Sequence, residues 1–237
     1  MNNENNYNDS SWEKLKAKSI YHFDKTVMDP RWDSVIPIGR FDGEWQDEVQ
    51  WLIENSKEST WRNRQYGSDT NRGNANSDGN TPPSNWVHEE ENDLIRAGAK
   101  PDMVICKMGY ELPPKIQKMC DMIGLERGHD KAHVQMTGQV FNIHIDKLDT
   151  IYDEDPDDVM RIFIFLTDWE PGHFLGFGNY THRWRAGDII TFDHVNCPHY
   201  TANAALVPRV SVVTTGVKSE KTCEFLKMAK SVPSIKI

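Results

Sequence analysis

Phe141-Asn142-Ile143-His144-Ile145-Asp146 alternates apolar and polar side chains. Period-two alternation marks a β-strand with two unlike faces, and residues i and i+2 of a strand share a face. Asn142, His144 and Asp146 are therefore expected to project together, with Phe141, Ile143 and Ile145 projecting the other way. An imidazole beside a carboxylate is two-thirds of a two-histidine, one-carboxylate metal cradle. The rest of the chain is read for the missing third.

Working outward, strand signals dominate the C-terminal half. The extended segment around the hexapeptide runs from His133 to Asp146, with a kink expected at Gly138. An acidic turn follows at 149–158. Arg161-Ile-Phe-Ile-Phe-Leu-Thr167 is rich in β-branched and aromatic residues, as strands are. His173 to Tyr180, Thr181 to Arg185, Ile189 to Phe192, Tyr200 to Asn203 and Arg209 to Thr215 read as further extended segments. Pro171-Gly172 and Ala186-Gly187-Asp188 are turns between them. About seven short strands separated by turn signals argue for a β-sandwich or barrel.

Upstream of Gly128 the pattern reads as helical. Trp45, Val49, Leu52 and Ile53 fall on one face of a helix over 42–56, with Asp42 as its expected cap. Pro113 and Pro114 open a second helix, whose buried face is Ile116, Met119, Cys120 and Ile123 and whose stop is Gly124. Short helices are also expected near residue 12 and over 88–97, and a strand over 101–108. Residues 67–85 are a Gly/Asn/Asp/Ser/Pro-rich loop with almost nothing to bury. Ser219 caps a closing helix carrying Phe225, Leu226 and Ala229. The expected organisation is one domain over 1–237. It has a flexible tail at 1–11, a helical and loop region at 12–128, a β core at 129–217 and a C-terminal helix at 218–237.

The chain has 237 residues and a formal net charge of −9. An acidic chain repels polyanions, so nucleic acid and anionic membrane are poor partners. A small molecule or a peptide remains as the expected substrate. Cys106, Cys120, Cys197 and Cys223 form no CxxC pair. Reduced thiols in a cytoplasmic setting are the simpler reading. The Asn-rich start lacks the basic and apolar segments of a signal peptide.

The third ligand is sought among the histidines after the hexapeptide. His199, in Asn196-Cys197-Pro198-His199-Tyr200, stands at the mouth of a strand, and several antiparallel strands fit between it and His144. Arg209 and Ser211 then lie two residues apart in an otherwise apolar strand. A guanidinium fork and a hydroxyl on one face suit a buried carboxylate, or alternatively a structural ion pair. A second His-x-acid pair, His88 and Glu90, falls in a helix or loop, where i and i+2 diverge. Asn142 reads equally as a ligand contact or a hydrogen-bonded strand residue. Arg161, Arg183 and Arg185 read as substrate contacts or as a solvated face. His173 and His182 read as surface residues or as supports behind the site.

His144-x-Asp146, the distal His199 and Arg209-x-Ser211 together resemble the motif set of the Fe(II)/2-oxoglutarate-dependent dioxygenases over residues 130–217. Trp184-x-x-Gly187, Phe192-Asp193 and His199-x-x-x-Asn203 with Arg209 resemble the aspartyl/asparaginyl β-hydroxylase group within them. That group's Arg-x-His is not reproduced, since Phe163 follows Arg161. The resemblance implies a mainly β, α+β fold with a double-stranded β-helix (jelly-roll, cupin-like) core. It implies Fe(II) held by His144, Asp146 and His199, and 2-oxoglutarate held by Arg209 and Ser211, with O2 as the other cosubstrate. The implied reaction is hydroxylation of an unactivated C–H bond of an amino acid, peptide side chain or small metabolite, with succinate and CO2 as co-products. The presence of Asp146 implies hydroxylation over halogenation. The alternatives are a cupin-type metalloenzyme that does not use 2-oxoglutarate and a non-catalytic jelly-roll binding protein.

Overall fold

The computed structural model describes residues 35–60, 100, 103–144, 158–178, 180–194, 197 and 199–237, without the side chains of Asn142 and His144. In chain order these residues form β1 (Val35–Asp42), α1 (Gln46–Asn55), β2 (Lys57–Thr60), β3 (Val104–Gly109), α2 (Pro114–Ile123), β4 (Glu126–Gln135) and β5 (Val140–His144). Then come β6 (Val159–Phe165), β7 (His173–Phe177), β8 (Tyr180–Thr181), β9 (Asp188–Phe192), β10 (His199–Asn203), β11 (Arg209–Val217), α3 (Glu220–Ser231) and β12 (Ile235–Lys236).

From β4 onward the chain is dealt alternately between two sheets. The large sheet runs β12-β1-β9-β6-β11-β4-β3-β2, and the small sheet runs β5-β10-β7-β8. The central four strands of the large sheet, β9-β6-β11-β4, face the small one. Two four-stranded sheets wound in this order are a double-stranded β-helix, or jelly roll. The strands and three helices make the fold α+β, mainly β. The corner between β4 and β5 is turned at Gly138, whose φ of 85° is open to glycine at little cost. There the chain leaves one sheet and enters the other.

Two apolar layers hold this together. β6 and β11 lie inside the large sheet and are covered on both faces, so they read as continuous apolar runs. Ile162, Ile164, Val210 and Val212 point outward against Leu52 of α1, Ile116, Met119 and Ile123 of α2, and Phe225 and Ala229 of α3. Phe163, Phe165 and Val213 point inward to meet Leu175 and Phe177 from the small sheet. The buried faces of α1 and α2 are those the periodicity predicts. The first turn of α2 is capped from a distance, because the Glu48 carboxylate accepts from the amides of Lys115 and Ile116 at 3.0 Å each. α2 stops at Gly124, and α3 starts at a Ser219/Thr222 capping box.

Three local expectations are corrected. Asp42 does not cap α1: it ends β1 and pairs with Lys236 of β12, while Trp45 holds the N-cap position without a side-chain capping hydrogen bond. The stretch 12–128, read as helical and loop apart from the strand expected over 101–108, also contributes β1 and β2 to the large sheet, and the expected strand is β3. Strict alternation fails in β5. His199 lies opposite His144 and Thr201 opposite Phe141, so one extra residue sits in β5 between them. This β-bulge gives positions 141 and 144 the same face. Phe141 accordingly turns into the interior, buried and stacked 6.4 Å from His133. The helices expected near residue 12 and over 88–97, the loop 67–85, and all of the acidic turn except Asp158 lie outside the described residues.

Candidate functional site

The register of the two sheets sorts the barrel interior into layers. Along β11, Arg209 pairs with Gln135 of β4, Ser211 with His133 and Phe165, and Val213 with Lys131 and Phe163. Along β10, Asn203 pairs with His173, Thr201 with Leu175 and Phe141, and His199 with Phe177 and position 144. Asn203 Nδ2 donates to the Gln135 carbonyl at 2.8 Å, which ties the Arg209 layer to the Asn203 layer. His199 therefore stands at one end of the interior and Arg209 at the other. Their layers are four residues of strand apart, about 13 Å.

At the His199 end, the bulge sets two of the three expected metal-binding positions opposite one another on adjacent strands. His199 is buried, and its Nδ1 lies 3.2 Å from the Cys197 carbonyl. A carbonyl only accepts, so Nδ1 carries the hydrogen, and the lone pair that a neutral ring offers a metal is the one on Nε2. A backbone partner on one ring nitrogen is the usual support of a metal-binding histidine. Phe192 and Phe177 pack around the ring, with centroids 4.8 and 6.3 Å away. Among the described residues, no three His, Cys, Asp or Glu side chains gather as a metal site. Asp146 and the His144 side chain lie outside that set.

At the other end, Arg209 is among the largest side chains fully buried in the protein. Its Nε donates to Gln135 Oε1 at 3.2 Å, and its guanidinium carbon lies 5.9 Å from the centre of the Trp184 ring. Its Nη1 is buried with no hydrogen-bond partner among the described residues, as is the Oγ of Ser211 in the next layer. Buried polar atoms are nearly always satisfied, and a buried cation is costly without a counter-charge. Burial pushes the Arg209 pKa down to about 10, with the Cys106 thiol nearby acting in the opposite sense. Two donors without acceptors, one of them charged, fit a carboxylate. Arg209 makes no ion pair with any described residue.

Sequence reasoning missed the glutamine behind the arginine and named His173 only as a surface residue or a support. Gln135 is fully buried, and its Nε2 donates to the carbonyls of Ile105 and Thr201 at 3.3 and 3.4 Å. His173 is buried too: its Nδ1 accepts from the Glu170 amide at 3.2 Å, which leaves Nε2–H to donate to the Val207 carbonyl at 3.1 Å. Burial holds the His173 and His182 pKa values below the usual imidazole range. Trp184 stacks on Phe165 at 4.5 Å and is core, as its size suggests. Arg161 is buried at an inward position of β6, so it is no part of a solvated face. Arg183 is exposed, lying 4.5 Å over Trp169, and Arg185 is exposed as well. A glutamine in a strand of mixed polarity carries no signal of its own. Only its position opposite Arg209 reveals it.

No family profile and no curated protein matches this chain. Solved structures do. A cupin 2 conserved barrel domain protein from Salinispora arenicola is 11% identical, with TM-score 0.31, covering 52% of this chain and 84% of that one. A predicted oxalate decarboxylase from Thermotoga maritima is 12% identical, with TM-score 0.31, covering 47% and 80%. The non-heme alpha-ketoglutarate-dependent carbocyclase SnoK of nogalamycin biosynthesis is 15% identical, with TM-score 0.37, covering 53% and 71%. The strand order, rather than these overlaps, defines the fold as a cupin-like jelly roll. No described helix is long and apolar enough to cross a membrane.

Proposed function

We propose that the protein is an Fe(II)- and 2-oxoglutarate-dependent dioxygenase that hydroxylates an amino acid, a peptide side chain or a small metabolite. One observation carries the reading. The interior holds a buried histidine opposite position 144 at one end, and a buried arginine and serine with unmet hydrogen bonds at the other. A short dicarboxylate that binds metal through one end needs an anion clamp at its far end.

In this reading His144, Asp146 and His199 hold the iron, and the Cys197 carbonyl keeps the His199 ring oriented. Arg209 and Ser211 donate to the distal carboxylate of 2-oxoglutarate. Phe177 and Phe192 wall the histidine and keep water from that side. When bound, iron with 2-oxoglutarate and O2 supplies the oxidising power for C–H hydroxylation, leaving succinate and CO2. The buried guanidinium favours a dianionic cosubstrate, because only an incoming charge relieves its desolvation.

The test is succinate release from 2-oxoglutarate across a panel of candidate substrates, starting with free amino acids. His199→Ala is expected to lose Fe(II) binding and succinate release together. Unchanged turnover in that variant would contradict the ligand assignment.

A further inference from the structure

We propose that Gln135 is the positioning residue of the anion clamp: a neutral amide that aims Arg209 while leaving its positive charge for the ligand. The inference rests on the dioxygenase reading and deepens it.

The geometry fixes which end of the amide faces the arginine. Gln135 Nε2 donates to Ile105 O in the large sheet and to Thr201 O in the small one. Both partners are carbonyls, so the NH2 end is committed to them and Oε1 is left for Arg209 Nε at 3.2 Å. An arginine held side-on through Nε turns Nη1 to the edge of the fork away from the holder, and Nη1 is the buried atom with no partner among the described residues. Thr201 stands two residues along β10 from His199. One side chain therefore ties the arginine to the strand that carries the histidine and sets the separation of the site's two ends.

The residue type matters as much as its place. A glutamate at 135 would also accept from Nε, but it would neutralise the guanidinium in a dry interior, where an ion pair is strong. No described carboxylate touches Arg209. A buried arginine whose contacts are an amide oxygen and an indole face keeps its charge available.

The experiment titrates the anaerobic, Fe(II)-loaded full chain with 2-oxoglutarate and with 2-oxopentanoate, which lacks the distal carboxylate, by calorimetry. The wild type is expected to prefer 2-oxoglutarate on the order of 100-fold, the value of a charge-assisted contact. Gln135→Glu is expected to shrink that preference to within a few-fold while Fe(II) binding stays intact. Gln135→Met removes the acceptor but adds no charge, so it is expected to weaken 2-oxoglutarate more than 2-oxopentanoate and to leave a preference between those of the wild type and Gln135→Glu. A Gln135→Glu protein with wild-type preference would overturn the inference. So would a Gln135→Met protein that binds both acids equally more weakly with the preference kept, because it would reduce Gln135 to packing. A wild type that binds neither acid would instead overturn the dioxygenase reading, and this inference with it.

Discussion

Arg209 carries a charge into the driest part of the protein, and a buried polar atom without a partner costs about 1–3 kcal/mol. Replacing it with methionine should therefore raise the melting temperature of the ligand-free protein and erase the further rise that 2-oxoglutarate produces in the wild type. Thermal melts with and without the dicarboxylate check both halves. A variant that melts lower and still responds to 2-oxoglutarate would remove the clamp. His173 makes a pH prediction. Its folded-state pKa is depressed by burial, so between that value and the unfolded value of about 6.5 the unfolded chain binds more protons. Stability should thus be full above about pH 6.5 and fall as pH drops through the folded pKa. Protonating Nδ1 would also oppose the Glu170 amide. Urea midpoints between pH 7.5 and 5 should show this slope, and His173→Gln should flatten it. At this scale Arg209 and Ser211 were legible because polar residues stand out in an apolar strand. Gln135 was not, because its meaning depends on a partner 74 residues away in sequence.

The bulge in β5 is the element on which the metal end depends. Alternation alone pairs His144 with Asn142 and opposes it to Phe141. The extra residue gives positions 141 and 144 one face, opposite Thr201 and His199. Deleting Ile143 alone would leave positions 141 and 144 an ordinary i, i+2 pair, still on one face, whereas deleting Asn142 and Ile143 together would make them adjacent and put them on opposite faces. The expected outcome is Fe(II) binding kept in the first variant and lost in the second, read by dialysis. Equal iron in both would mean that the register does not set the site. Helix limits were legible from chemistry that acts locally: Gly124 as a stop and Ser219 as a cap. β1 was hidden because Pro37 and Gly39 interrupt its pattern, and they mark the point where its pairing with β9 shifts register. β2, Lys-Glu-Ser-Thr, has no apolar residue to betray it. Both strands owe their state to neighbours that were distant in sequence.

For the whole molecule, the jelly roll follows from how strands are shared between sheets, and that sharing is invisible to periodicity. The run of short strands suggested a sandwich or barrel, while the order β9-β6-β11-β4 against β5-β10-β7-β8 is a property of pairing. That order brings Arg209 and His199 to opposite ends of one interior. Anything that bridges those ends stabilises the fold by mass action, by about 2.7 kcal/mol at a hundredfold excess over its dissociation constant. The most direct test of the account adds Fe(II) and then 2-oxoglutarate to the protein without oxygen, and reads the visible charge-transfer band of the chelated cosubstrate. The account predicts one iron per chain and a band that appears with 2-oxoglutarate in the wild type and is absent in His199→Ala. Iron that binds while 2-oxoglutarate produces no band would contradict it.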